Sequence, residues 1–247
     1  MKKLSEMNMS KKMNKNYVLY MMAGIGSRFN ADKPKQFVMV KGKPVFLHFL
    51  NAIERFSLVT GVIIVCQKDW INFTEELVKQ CGLSKVIDIV PGGDTRSQSV
   101  KNGLYRLKQF ANNDDIVLIH DASHPFIDKE RTVQLIEEIE LSGAGSLANY
   151  VLDTAYIKDG DNKLQANIDR KTIAIGASPE GFKFGLLYKI FSSSSDEYLN
   201  SRTSLGALMA DNNIKMTFVE TKYPPIKITY QTDLKIYEEL FDYLNGD

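Results

Sequence analysis

Cysteine is scarce in these 247 residues: there are two, Cys66 and Cys81, and they form neither a CxxC pair nor a zinc-ligand spacing. Their positions suit a strand and a helix end, and a reducing, cytoplasmic setting is the simple expectation. An excess of one charge is lacking too. Lysine and arginine number 31 against 30 acidic residues, a formal net charge of +1. No global field favours nucleic acid, so any anion site has to be built locally. Long apolar runs are missing as well, and none approaches the roughly 18 residues of a membrane-spanning helix. The opening MKKLSEMNMSKKMNKN carries lysines but not the run of about seven apolar residues that a secretory signal needs. Residues 1–15 are expected to form a mobile tail and 16–247 a single domain, with neither nucleic acid nor membrane as partner.

What the chain has is alternation. Short apolar runs recur at YVLYMM (17–22), VIIVC (62–66), VIDIV (86–90) and IVLIH (116–120), the last three rich in β-branched residues. They read as buried parallel strands. Between and after them lie helical stripes: Phe46, Phe49, Leu50 and Ile53; Val100, Leu104 and Leu107; Thr132, Leu135, Ile136 and Ile139. The pattern predicts an α/β fold, a Rossmann-like twisted and mostly parallel sheet flanked by helices. Ligands bind at the carboxyl ends of such strands, so chemistry is expected just after residues 22, 66, 90 and 120. One segment breaks the rhythm. VLDTAYIKDGDNKLQANIDR (151–170) sets a polar DGDN turn between two β-compatible arms and reads as a protruding hairpin, either an oligomer contact or a plain surface excursion. A last helix is expected around Asp233, Ile236, Tyr237, Leu240 and Leu244.

The first strand runs into MMAGIGSRFNADKPKQF (21–37), a glycine-bearing cationic loop. A dinucleotide fingerprint, GxGxxG, would need glycine at 29, where Phe29 stands, and a Walker A loop would need a GKS/T that is absent. What remains is GxGSRF followed by Lys35. Glycines let backbone amides approach an anion closely. Arg28 and Lys35, separated by a turn containing Pro34, can close on a polyphosphate from two sides, one as a planar fork and one as a point charge. The alternative is a strand-to-helix loop with solvated cations.

Four blocks then fall in register: AGIGSRF with KPKQF, GKPV, PGGDTRSQSVKNGL (91–104) and HDASHPF (120–126). Over about residues 17 to 242 the chain resembles the polyol-phosphate cytidylyltransferases, whose nearest groups act on 2-C-methyl-D-erythritol 4-phosphate and ribitol 5-phosphate. The resemblance implies transfer of a cytidylyl group from CTP to a polyol phosphate, giving a CDP-polyol and pyrophosphate, with Mg²⁺ as the cation. It implies that Ala23, Gly24 and Gly26 wrap the nucleotide and that Arg28, Lys35 and Lys227 are catalytic cations. Gly93, Asp94 and Ser99 would form the pyrimidine pocket. Asp121 would face both Mg²⁺ and substrate, and His124, Thr154, Arg170 and Thr229 would hold the acceptor with Lys227. The hairpin arm would reach across a homodimer into the partner's site. The chemistry agrees, because a phosphate monoester is mostly dianionic at neutral pH, its second pKa being about 6, and needs no general base. It needs relief of repulsion between anions.

Four departures from that pattern lie on the acceptor side. His124 stands where the HDAxRPF block has arginine. Ser178-Pro179-Glu180 replaces TPQ, Asn200 to Ser204 replaces an acidic T-D-D/E-A-S block, and Pro225 replaces an asparagine before the I-K-I/V-T block. Loss of acid there and gain of Arg202 would shift the local charge positive. These differences, with the KDWINFTEELVKQ segment around Trp70, favour ribitol 5-phosphate over methylerythritol phosphate. The other readings are isoprenoid synthesis from methylerythritol phosphate, a non-catalytic nucleotide-binding regulator, or a sugar-1-phosphate nucleotidyltransferase with different loop spacing. His48 and Trp70 are expected to pack, His120 to be a satisfied core group, and Arg96 either to orient its loop or to serve the site.

Overall fold

The computed structural model describes residues 14–24, 26, 29, 33–222 and 226–245. Most of the expected tail, together with Arg28 and Pro225, lies outside the described residues. The strands are β1 (Asn16–Met22), β2 (Met39–Val40), β3 (Lys43–Pro44), β4 (Gly61–Cys66), β5 (Val86–Pro91), β6 (Ile116–Asp121), β7 (Ala144–Tyr150), β8 (Ala155–Lys158), β9 (Leu164–Ile168), β10 (Ala174–Lys183) and β11 (Thr217–Glu220). The helices are α1 (Val45–Glu54), α2 (Ile71–Gln80), α3 (Arg96–Leu107), α4 (Lys129–Ser142), α5 (Phe184–Ser193), α6 (Asp196–Asn200), α7 (Leu205–Asp211) and α8 (Gln231–Asn245). No described helix is long and apolar enough to cross a membrane.

Seven strands form one sheet in the order β11-β7-β10-β6-β1-β4-β5. β1 pairs in parallel with β4 on one side and β6 on the other, and β4 continues in parallel to β5. β10 runs antiparallel to both β6 and β7, and β11 lies parallel to β7. The expected mostly parallel sheet is therefore present.

Three of the four expected strands, β1, β4 and β6, are buried on both faces, whereas β5 at the sheet edge is only half-buried. All seven residues of β1 and all six of β4 are buried. Side chains alternate across the sheet. Val18, Tyr20 and Met22 pack beneath α1 with Phe46, Phe49 and Leu50. Tyr17, Leu19 and Met21 pack on the other face against Val100, Leu104 and Leu107 of α3 and Leu187 of α5. Each such side chain contributes about 1.5–3 kcal/mol on leaving water, which is why the runs are nearly all apolar. Trp70 stacks on Phe37 at 4.2 Å, and His48 is buried with its Nε2 2.9 Å from the Val40 carbonyl.

Helix starts follow local chemistry. A capping box opens α3, with the Thr95 hydroxyl accepting from the Gln98 amide. Asp128 caps α4, which ends on Gly143 at φ 88°, a left-handed turn that glycine adopts without strain. The segment 151–170 does form a hairpin. β8 and β9 pair antiparallel, and Asp159 accepts the amides of Asp161 and Lys163 in the turn. Leu152, Tyr156 and Leu164 of this arm are exposed.

Candidate active site

β4 and β5 build outward from one side of β1 and β6 from the other, so the strand order reverses between β1 and β6. The crevice at their carboxyl ends is where open α/β sheets bind ligands. The loop after β1, the loop after β5 and the turn after β6 meet there.

Two glycine-bearing loops face each other. The start of the first is clamped by Gln36, a buried side chain that donates to the carbonyls of Met22 at 2.7 Å and Gly24 at 3.3 Å. Gly26 has φ +63°, a backbone state that L side chains rarely adopt, and the methylene stem of Lys35 lies beside it. Space opens at Gly24, where an added Cβ would meet nothing within 4 Å. Across the crevice, Gly92 donates to the Cys66 carbonyl at 2.8 Å. A Cβ at Gly92 would stand 2.3 Å from that of Ala23, so the two loops approach as closely as they do only because residue 92 has no side chain. The Gly93 amide donates to the Ser99 hydroxyl at 3.0 Å, and that hydroxyl reaches the Thr95 carbonyl at 3.0 Å. Ser99 thus shapes the loop from a buried position, while Asp94 is exposed.

The second half of the crevice is a network of short backbone contacts. Lys35 Nζ donates to the Ile228 carbonyl at 2.6 Å, and the Ile228 amide donates to the Ser123 carbonyl at 2.8 Å. His120 Nε2 lies 2.8 Å from the His124 carbonyl. The first loop, the turn after β6 and the segment carrying Lys227 are thereby tied together. Beneath them Phe29, Val40, Val45, Ile228 and Tyr237 make a small core shared with α8.

A cavity of roughly 500 Å³ opens between this network and β10; Arg96, Asp121, His124, Ser178, Glu180 and Lys227 line it, along with Thr203 and Ser204. Asp121 donates its backbone amide to the Ser178 hydroxyl at 2.9 Å. Arg96 Nη2 lies 3.2 Å from Asp121 Oδ1 and 3.3 Å from Glu180 Oε2. Burial works against the Arg96 charge, yet the two carboxylates prevail and hold its pKa above the ordinary value. Glu180 moves the other way: burial raises its pKa despite the pull of Arg96. His124 is pushed down to about 4, first by burial and then, against the opposing pull of Asp121, by Lys227 and Lys35. It is neutral at pH 7.

Of the expected site residues, Ala23 of the first loop meets the loop of Gly93, Asp94 and Ser99 at Gly92, with Gly24 and Gly26 following it in the chain. Asp121, His124 and Lys227 line the cavity, and Lys35 is tied to the segment carrying Lys227. Thr154 and Arg170 do not line the cavity. They sit exposed on the arm, where the Arg170 guanidinium donates to the Leu152 carbonyl. Thr229 also stands back from it, its amide held by Asp233 at 2.8 Å at the start of α8. Two expectations change. Arg202 does not make the cavity more positive, because Asp211 holds it at 2.5 Å outside the lining set. His120 is satisfied at one ring nitrogen only, since its buried Nδ1 has no partner. Sequence reasoning missed Gln36 and Gly92, and it placed Ser178 and Glu180 on the acceptor side only as departures from a motif, without their contacts. A glycine doublet and a glutamine beside a cationic loop were visible signals, whereas the contacts of Glu180 join residues far apart in the chain.

Among the described residues no cluster of three or more His, Cys, Asp or Glu side chains suits a metal. The donor set instead centres on Asp121. Such a set fits a magnesium ion carried in on phosphates, since Mg²⁺ keeps most of its waters and takes one or two carboxylates.

Sheet order, two glycine-bearing loops at the reversal point and converging cations define a nucleotide-binding α/β fold built for chemistry on phosphates. Residues 17–242 match the family described as 2-C-methyl-D-erythritol 4-phosphate cytidylyltransferase, and the chain belongs to that family. It is 30% identical to a ribitol-5-phosphate cytidylyltransferase of Streptococcus agalactiae serotype Ia over 89% of this chain and 92% of the relative. A 2-C-methyl-D-erythritol 4-phosphate cytidylyltransferase of Clostridium acetobutylicum is 32% identical over 91% of this chain and 96% of its own. A crystal structure of 4-diphosphocytidyl-2C-methyl-D-erythritol synthase superposes with TM-score 0.77, covering 93% of this chain and 100% of that one at 24% identity, a likeness of fold.

Proposed function

We propose that this protein transfers the cytidylyl group of CTP to a polyol phosphate of the ribitol 5-phosphate kind, releasing pyrophosphate. The observation that carries the reading is the convergence of Lys35, His124 and Lys227 on the crevice between β1 and β6, beside loops with room for a nucleotide. A phosphate oxygen of the acceptor attacks the α-phosphorus of CTP. The new O–P bond forms as the bond to the β-phosphate's bridging oxygen breaks, and the electron pair leaves on pyrophosphate. No proton has to be removed from the dianionic nucleophile. What the protein supplies is fixed positive charge where two anions meet. Lys35 and Lys227 provide it among the described residues, and Arg28 is assigned to the same task from its place in the loop. Neutral His124 offers a hydrogen bond rather than a third charge. When bound, a magnesium ion held mainly by phosphate oxygens would meet Asp121 and offset charge on the leaving group.

The ribitol-like acceptor is favoured by the cavity's chemistry. Hydroxyls of Ser146, Ser178, Thr203 and Ser204 and the carboxylates of Asp121 and Glu180 suit a chain rich in hydroxyls. Mass spectrometry of products from CTP with ribitol 5-phosphate, 2-C-methylerythritol 4-phosphate and sugar 1-phosphates tests this. CDP-ribitol is expected to dominate, and chelation of divalent cations should stop its formation. Methylerythritol phosphate as the best acceptor would overturn the acceptor assignment, and no pyrophosphate from any of them would leave a nucleotide-binding regulator.

The arm is assigned to a homodimer. Leu152 is 81% exposed and Leu164 69%, and Thr154 and Arg170 could serve an acceptor only in a second copy's cavity. Sedimentation equilibrium is expected to give twice the 27.9 kDa chain mass. Arg170→Ala should raise the acceptor KM without splitting the dimer. A fully active monomer would refute the assignment.

A further inference from the structure

Two charged groups in the cavity, Arg96 and Glu180, have no part in the phosphate chemistry as drawn. Glu180, on β10, has a side chain 18% exposed, against 31% for Asp121 and 40% for Arg96. Besides meeting Arg96, its carboxylate shares the cavity wall with Gly206 in the first turn of α7. Through Arg96 it ties β10 to the start of α3. Arg96 Nη2 serves both carboxylates, at 3.2 and 3.3 Å.

We propose that Glu180 is a positioning residue for the acceptor, holding Arg96 back so that Asp121 stays available to the ligand. The inference rests on the function proposed above. A guanidinium facing one carboxylate tends to close on it as a two-pronged, charge-neutral pair. Such a pair at the mouth of the cavity would leave Asp121 little capacity to accept from a polyol hydroxyl or to meet a cation. A second carboxylate on the same nitrogen prevents that closure. The group of Arg96, Asp121 and Glu180 then carries a formal charge of 1 − 2 = −1, facing Lys227 across the same cavity. Glutamine at 180 keeps the size and one acceptor oxygen but removes the charge that competes for Arg96.

A double-mutant cycle tests this, with KM measured for CTP and for ribitol 5-phosphate. Glu180→Gln is expected to raise the acceptor KM about tenfold, the scale of losing one charged hydrogen bond, with the CTP KM unchanged. In an Arg96→Gln background, where nothing competes for Asp121, the same change should move the acceptor KM less than about twofold. Equal effects in both backgrounds, or CTP and acceptor KM rising together, would show a structural role and overturn the proposal. Should E180Q fail to fold, the double variant has lost both partners of the pair, and a difference between it and R96Q would overturn the proposal in the same way. Wild-type turnover separates the two levels. If the wild type makes no CDP-polyol, the proposed function falls and takes Glu180's role with it. If it does and the cycle shows no coupling, only the role of Glu180 falls.

Discussion

Lys35→Ala is expected to lower kcat by about 10²- to 10³-fold, the scale of removing one fixed donor from a developing anion. KM for CTP should change far less, because the ammonium acts chiefly where charge builds up during transfer. Geometry favours that reading. The Lys35 stem lies along Gly26, and its Nζ is anchored on the Ile228 carbonyl at 2.6 Å, so the charge is held in place before substrate arrives. The same ammonium also helps to keep His124 neutral. Alanine would remove the charge and the tether to the segment carrying Lys227 together. Lys35→Arg, which keeps the charge but not its compact shape, should recover only part of the rate. Since residue 35 lies in a short surface turn, the thermal midpoint should hold within a few degrees. Steady-state pyrophosphate release with both substrates varied measures the split. A variant with normal kcat and a raised KM for CTP would confine Lys35 to ground-state binding.

Legibility of the fold in the sequence followed burial. β1, β4 and β6 could be read because helices cover their faces and their runs are apolar, and β5, a half-buried edge strand, because its run is rich in valine and isoleucine. β7 and β10 escaped notice for a related reason. Their strands, AGSLANY and AIGASPEGFK, are rich in small residues that β-propensity disfavours. The structure explains the choice: a Cβ at Gly181 would stand 2.3 Å from Ile139 Cδ1, and one at Gly145 would stand 2.8 Å from Leu135 Cδ1. Helix α4 lies directly on these strands, and glycine is the strand's half of that close packing. A pattern of apolar residues cannot reveal a place where the partner helix supplies the bulk. The site divided in the same way. Lys35 sits in a compact motif and Asp121 at a strand end, so position pointed to them, whereas Lys227 came from resemblance. Glu180 was visible only as a departure from a motif, and its meaning depends on Arg96, 84 positions earlier, meeting it in space. Thr154 and Arg170 came from resemblance, and within a single chain they remain away from the cavity.

Acidification is expected to destabilise the protein from about pH 6.5 downward, and His120→Gln should flatten that loss. His120 is fully buried, stacked on Phe49 at 4.0 Å, and burial pushes its pKa down to about 3. His124 follows to about 4, and His48 is lowered as well, in each case with burial as the largest cause. A lowered folded pKa means that the unfolded chain binds the proton more readily. Stability is thus fully present above the unfolded value near 6.5 and falls as pH drops toward 4 and then 3, at up to about 1.4 kcal/mol per pH unit for each such group. The direction follows from the surroundings of His120. Its Nε2 already has the His124 carbonyl at 2.8 Å, while its Nδ1 faces no acceptor, so a second proton would bury a cation with one N–H unpaired. Glutamine can donate to the same carbonyl and has nothing to protonate. Urea unfolding at a series of pH values between 7 and 4 should show the H120Q slope shallower by about 1.4 kcal/mol per unit, even if its stability at pH 7 is lower. Parallel curves would mean that His120 finds a way to carry its proton in the folded state. The turn that presents Asp121 and His124 would then not depend on a neutral imidazole beneath it.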